Sequence, residues 1–385
     1  MRGHAIFLSC ALAATASANE AFLRAEVVDA VAATKLPMSV ADPAWQQLSA
    51  RSFRISPQRT VRLNDLRSNE VLKSGPGISE VRVKAAATAQ QLRLWLEWDD
   101  PAKEVVREDE VNVFADSIAV EVPERSGRGV RLPAIGMGDA EQHVGVSMLR
   151  ATKGGALASQ FIAAGFGSLT RQAPAVMTTA ELQYDDALKR WRAVFTIPID
   201  GDRRALVPVA FAVWDGARGE RAGYKRLSSW HFVRLPNRPL DDAWVKELAY
   251  GFFPGDLGDV ARGKALAEAV CVACHHLPGK ALTPPGLAPS LVGIGAISTP
   301  RYLRDSITTP SAVVLPGLNP NQHYVANGPR DNNGALPNAD AFRWWSPGPD
   351  GGQVSKMPPF AFPPEQLADL VAFLKSLDGS TLEQP

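Results

Sequence analysis

Cys271-Val272-Ala273-Cys274-His275, written CVACH, is the stretch whose reading decides the fold. Two thiols spaced by two residues can each add to one vinyl group of a haem, and the histidine that follows is then held beneath the iron. This is the c-type haem attachment signature, and a proximal histidine is a standard haem ligand. A zinc site would need two more ligands at comparable spacing, and the third cysteine of the chain is the distant Cys10. A redox dithiol would sit near a βαβ pattern, and none precedes CVACH.

Working outward, the sequence turns helical from Asp259. DVARGKALAEAV leads into CVACH, and PPEQLADLVAFLKSLDG closes the region. In the closing segment Leu367, Leu370, Val371, Leu374 and Leu377 fall on one face, between Pro363-Pro364 and the stop signal Gly379. A Gly/Pro/Asn-rich excursion, about 315–356, separates the two helical patterns and is long for a compact domain.

Upstream, from Asn19 to Leu235, the period is two. Leu92, Leu94, Leu96 and Trp98 alternate with Arg93, Trp95 and Glu97, which sends one set inward. Ile118, Val120 and Val122 alternate up to Pro123, and Val207, Val209, Phe211 and Val213 run into the turn Trp214-Asp215-Gly216. Short strands with turn signals between them predict an antiparallel β-sandwich or barrel. The expected organisation is a signal peptide at 1–18, a β-sandwich domain at 19–235, a linker at 236–258 and an all-α domain at 259–385.

The leader MRGHAIFLSCALAATASA has an early arginine, a short apolar core and an Ala-x-Ala end. It reads as a secretory signal cut after Ala18, so the mature chain is expected in the periplasm. Without Arg2 the 41 basic residues become 40, against 40 acidic. That balance gives no footprint for nucleic acid or an anionic membrane. Cleavage also removes Cys10, leaving no cysteine for a disulfide.

Residues from about 251 to 385 resemble a class I cytochrome c. The likeness rests on a first helix with Gly263, CVACH, a loop with Pro289, the stretch YLRDSITTP, the segment Lys356-Met357-Pro358-Pro359 and the closing helix. It implies one covalent haem c held by Cys271 and Cys274, with His275 proximal and Met357 distal. It also gives Gly263 a reason to be small, at the crossing of the first and last helices. His276 adjoins the proximal ligand and cannot reach the opposite face. His323 lies in the excursion.

The first domain resembles the haem-b-binding subunit of ethylbenzene dehydrogenase and the matching subunits of dimethyl sulfide dehydrogenase, chlorate reductase and selenate reductase. The matching stretches are DPAW (42–45), LRLWLEWDD (92–100), FADSIAVEVP (114–123), LPAIGMGDAEQHVGVSMLRA (132–151) and VAFAVWDGARGERAGYKRLSSWHFVRL (209–235). The resemblance implies one non-covalent haem b held by a methionine before a glycine and by a lysine after Glu-Arg-x-Gly. Here these are Met137, before Gly138, and Lys225, after Glu220. Met148 is a spare thioether in the stretch where that family carries aromatic residues. Only a neutral amine can bind iron, so burial must drive the proton off Lys225.

The resemblance thus implies a periplasmic dihaem electron-transfer subunit of a type II molybdenum oxidoreductase complex (nitrate, chlorate, selenate, dimethyl sulfide or hydrocarbon class). It would relay electrons between an iron–sulfur subunit and an outside cytochrome or quinol-linked partner, with no catalytic centre of its own. Two alternatives stand beside it. In one, a ligand- or carbohydrate-binding sandwich with Trp95, Trp98 and Trp214 as a stacking platform is fused to a monohaem cytochrome. In the other, the chain is a peroxidase-like enzyme with one open iron. The doublets Asp99-Asp100, Asp185-Asp186 and Asp241-Asp242 could be general acid/base pairs, but turns and solvated faces explain them more simply. Gly293-Ile294-Gly295 is not expected to bind a nucleotide, and His231 is expected to be packed within a strand.

Overall fold

The computed structural model describes residues 18–58, 77–106, 113–165, 168–172, 181–199, 205–253, 258–280, 288–314 and 345–378. Most of the leader, Gly379, His323 and most of the excursion lie outside the described residues. Two sheets face each other in the first domain. One runs Val27–Asp29, His231–Arg234, Leu206–Trp214, Ser117–Pro123, Val144–Thr152, Gly155–Ala163 and Thr170–Arg171. The other runs Glu181–Asp185, Arg190–Pro198, Gln91–Asp99, Glu80–Ala87 and Val31–Ala32. The long ladders are antiparallel. Two short edge strands pair parallel instead, Val27–Asp29 with His231–Arg234 and Val31–Ala32 with Glu80–Ala87.

The alternating sets read from the sequence meet between the sheets. Leu92, Leu94, Leu96 and Trp98 pack against Ile118, Val120, Val209, Phe211 and Val213 in one buried cluster. Trp95, on the other side of its strand, is also buried, because Leu36, Val40 and Trp45 cover that face. Trp95, Trp98 and Trp214 are all buried. None offers the exposed ring that a carbohydrate platform requires.

Residues 236–258 hold a helix, Asp242–Phe252, capped by the Asp241 carboxylate, which accepts from the Ala243 and Trp244 N–H groups. Its Trp244, Val245, Leu248 and Ala249 pack on Phe22 and Phe232 of the sandwich. The segment therefore works as a buttress for the first domain. Asp185 closes a hairpin turn by accepting from the Ala187 and Leu188 N–H groups. His231 stacks 3.8 Å from Phe53 and lies 2.8 Å from the Glu26 carboxylate, packed within its strand as its alternation suggests.

The C-terminal domain is helical: Val260–Val270, Ile294–Ile297, Pro300–Thr308 and Pro364–Ser376. A two-stranded ribbon, Trp345–Pro347 with Gln353–Ser355, is added at the end of the excursion. The first and last helices cross at Gly263, where an added Cβ would run into the Asp369 carbonyl oxygen and sit 2.8 Å from the Phe373 Cβ. Arg262 locks the crossing with a bond of 2.7 Å to Asp369. The Arg262 guanidinium, and next the Asp259 N–H, hold that carboxyl below its usual range.

Candidate haem sites

CVACH opens as a short 3-10 turn, Cys271–Ala273. The Cys274 and His275 N–H groups both donate to the Cys271 carbonyl, at 3.1 and 2.8 Å. This winding carries the two thiols and the imidazole into one turn. Burial, followed by the neighbouring Cys274, pushes the Cys271 thiol up to about 11. Such an apolar setting is unlike the electropositive surroundings that favour a thiolate. His275 Nδ1 lies 2.8 Å from the Pro289 carbonyl oxygen. A carbonyl can only accept, so Nδ1 carries the proton and Nε2 keeps its lone pair. Burial lowers the His275 pKa and keeps the ring neutral.

Met357 is half-buried and packs on the same apolar cluster as Leu303, Ile307, Leu370, Phe373 and Leu374. Its backbone is held by a 3.1 Å bond from the Met357 N–H to Ser355 Oγ. His276 turns instead towards Ser290, with Nδ1 at 3.4 Å from Oγ. A pinned imidazole, the Cys271 and Cys274 thiols in its own turn and a thioether on one apolar wall form a donor set that suits a covalent haem.

In the first domain a second face takes shape on the side of the larger sheet that points away from the sandwich core. Register sets Ala210 opposite Glu121, Ala212 opposite Ala119 and Trp214 opposite Ser117. It also sets Met148 opposite Ala119 and Val146 opposite Glu121. Since residues two apart share a face, the floor reads Ala119, Ala210 and Ala212, edged by Trp214, Val146, Met148 and Glu121. Three alanines side by side on adjacent strands leave a shallow, flat bed.

Met137 packs over this floor with Val144, Ala210 and Trp230. It has φ 79 and is followed by Gly138 at φ 74, two successive left-handed residues. A buried non-glycine residue there costs about 1 kcal/mol or more, an outlier of the kind that collects at functional sites. Asp139 enforces the turn, accepting from the Ala134, Glu141 and Gln142 N–H groups and pairing with Arg131 at 2.8 Å. Burial pushes the Asp139 pKa up, but Arg131 and those N–H groups outweigh it and hold the carboxyl below its usual range.

Lys225 is buried, with Nζ 5.6 Å from the Trp214 ring centre. Burial drives its pKa down, opposed in part by Glu121. Glu121 is driven up by burial, opposed by Lys225, and its Oε1 is buried without a hydrogen-bond partner. The turn that presents Lys225 is braced by Arg226, which bonds Glu220 at 3.0 Å where both side chains are sealed from solvent. The Asp215 N–H donates to Glu220 at 3.0 Å. Glu121 and this brace escape sequence reading, because an acid in an alternating strand normally faces water. Its flanking Ala119 and Pro123 were the available hint.

The two candidate sites adjoin. Ile294, Ala296 and Ile297 of the C-terminal domain rest on the alanine floor beside Trp214 and Leu227. Lys375 of the closing helix steadies that segment by donating to the Gly295 and Ser298 carbonyls. Gly295 lies so close to the Lys375 backbone that a Cβ would collide with its carbonyl, so the Gly293-Ile294-Gly295 stretch is a packing device. Beside it a cleft of about 910 Å³, counted to its open mouth, is lined by Ile135, Trp230 and Phe252 on one side and Ile297 and Tyr302 on the other.

A family profile for cytochrome c matches residues 260–378. The C-terminal third of this chain is a cytochrome c domain. Two relatives extend the comparison. A Haloferax mediterranei protein, ORF7, named for its assignment as a respiratory nitrate reductase heme subunit, is 28% identical over 215 residues. The match covers 53% of this chain and 74% of that one. The chlorate reductase gamma subunit of Ideonella dechloratans is 30% identical over 165 residues, covering 40% of this chain and 65% of that subunit. An alignment of 215 residues cannot be contained in 260–385, so it enters the β domain. The resemblance read there to oxidoreductase haem subunits is carried by these relatives. Among solved structures, a family 9 carbohydrate-binding module from Caldicellulosiruptor kristjanssonii is 10% identical over 56% of this chain and 97% of its own, with a TM-score of 0.32. That similarity is too low to bear on function.

Proposed function

We propose that this chain is the dihaem electron-transfer subunit of a periplasmic type II molybdenum oxidoreductase complex, holding one covalent haem c and one haem b. The observation that carries the reading is Lys225, a buried amine stripped of its solvent on the alanine floor that Met137 also overhangs. When bound, the two haems supply one-electron redox chemistry. Cys271 and Cys274 tether the first, while His275 and Met357 ligate it. Met137 and Lys225 ligate the second. Pro289 fixes the His275 tautomer. The trace from Pro289 to Ile297 then joins that ligand's support directly to the floor of the other site. Were each haem to take both of its assigned side-chain ligands, no position would be left for a substrate, and the chain would serve iron–sulfur and molybdenum subunits on one side and an outside carrier on the other. No helix among the described residues is long and apolar enough to cross a membrane.

Redox titration of the purified protein should resolve two one-electron centres, and carbon monoxide should leave the reduced spectrum unchanged. Rapid carbon monoxide binding by untreated protein would reveal an open iron and favour the peroxidase-like alternative.

Two substitutions test individual ligands. Met357→Ala should abolish the weak near-infrared sulfur-to-iron band and lower the haem c potential, since a thioether favours ferrous iron. An unchanged band would assign the distal position elsewhere. Glu121→Gln tests the setting of Lys225. Protons compete with iron for the amine, so haem b retention falls as pH drops through the Lys225 pKa. The Glu121 charge favours the ammonium form and raises that pKa. Removing it should shift the retention curve to lower pH, whereas a shift to higher pH would separate Glu121 from the ligand.

A further inference from the structure

Asp99 and Asp100 are neighbours with opposite surroundings. Asp99 pairs with Arg82 and Arg190 at the surface, at 2.9 and 2.6 Å. Asp100 is only 1% exposed. Its side chain turns inward, towards Glu104 of the following loop and Asp215 at the end of strand Leu206–Trp214. One carboxylate oxygen from each of the three lies within 4.8 Å of the others. Asp100 Oδ1 accepts from the Ala102 N–H at 3.2 Å. Its Oδ2 is buried with no hydrogen-bond partner.

A fourth carboxylate shows that this geometry is built. Asp116 is fully buried and uses both oxygens on the segments that carry the other three. Oδ1 accepts from the Gly216 N–H at 2.8 Å. Oδ2 accepts from the Glu104 N–H at 2.7 Å and from Trp191 Nε1 at 2.9 Å. Gly216 is glycine for the same reason, since a Cβ there would strike the Phe114 carbonyl and lie 2.7 Å from the Glu104 Cβ. Asp116 therefore holds Glu104 and Asp215 beside Asp100, although like charges in an apolar interior repel.

We propose that Asp100, Glu104 and Asp215 form a calcium-type divalent cation site, with Asp116 as its positioning residue. All the donors are oxygen, which suits a hard cation such as calcium and disfavours zinc or copper. Calcium–oxygen bonds of about 2.3–2.6 Å allow two ligands on opposite sides of the ion to stand up to about 5 Å apart, and the three oxygens satisfy that limit. The ion would use the unpartnered Asp100 Oδ2 and join the end of strand Gln91–Asp99 to the start of the turn 215–225. It would thereby couple the two sheets of the sandwich at the root of the segment presenting Lys225.

The test uses the purified holoprotein, dialysed against a calcium chelator and then titrated with calcium chloride. One calcium per chain should survive gel filtration, and the thermal midpoint should rise by about 5 °C or more at saturation. Asp100→Asn keeps the shape and the Ala102 hydrogen bond but weakens the ligand. It should abolish the calcium-dependent rise while melting at or above the wild type in chelator, where repulsion is relieved. Asp215→Asn should also lose the rise. No retained calcium, with identical melting in calcium and chelator, would overturn the proposal. So would an Asp100→Asn midpoint that exceeds the wild type's by the same margin in calcium and in chelator, which would mark a cluster neutralised by protons alone.

Discussion

Lys225→Ala removes the haem b signal and leaves the haem c signal intact. In the wild type the Lys225 amine is buried, faces the Trp214 ring and has burial working against its proton. An alanine there offers no lone pair and opens a cavity at the floor's edge. On the proposed reading the covalent haem is tethered through Cys271 and Cys274 in another domain and has no reason to respond. A pyridine haemochrome spectrum should therefore fall from about equal b and c contributions to c alone. The sandwich core of Leu92, Phe211 and their neighbours lies on the opposite side of the sheet, so the variant should remain folded. Full retention of b-type absorbance would remove Lys225 from the site.

Gly263→Val should disable the cytochrome c domain through packing. The helices Val260–Val270 and Pro364–Ser376 approach so closely at Gly263 that any side chain meets backbone, which cannot rotate away. Overpacking a well-filled contact costs about 1–3 kcal/mol, and the colliding atoms here place this case at the upper end. The helices must separate, breaking the Arg262–Asp369 contact and shifting the wall that supports Met357. The expected readout is loss of the near-infrared sulfur-to-iron band, with a melting transition lowered by about 10 °C or more. The covalent haem should stay attached. An unaltered band and midpoint would mean that the crossing is looser than this geometry implies.

Much of the fold was legible because period and burial coincide. The Leu92–Trp98 and Val207–Val213 alternations face the sandwich core, and the Leu367–Leu377 face joins the apolar cluster of the C-terminal domain, although Asp369 and Phe373, off that face, are what meet the helix after Asp259 at Gly263. The CVACH turn is equally readable as a local pattern with a geometric reason, whereas the crossing glycine comes from the resemblance to cytochrome c. What the sequence hid was long-range. Trp95 looks like an outward residue until Leu36, Val40 and Trp45 cover it. The helix Asp242–Phe252 gains its partners from Phe22 and Phe232, far along the chain. Glu121 and Asp100 are acids in places where acids usually meet water, and their burial depends on strands that no local window contains. Met137 was found by resemblance alone. Its left-handed backbone supplies a physical reason for attention that the letters Met-Gly do not.

The central claim is that one polypeptide carries two distinct haems on adjoining faces. The haemochrome stoichiometry of the purified wild-type chain tests it most directly. One b-type and one c-type haem per molecule is the predicted result. A single c-type haem, with no b component after reconstitution with free haem, would contradict it.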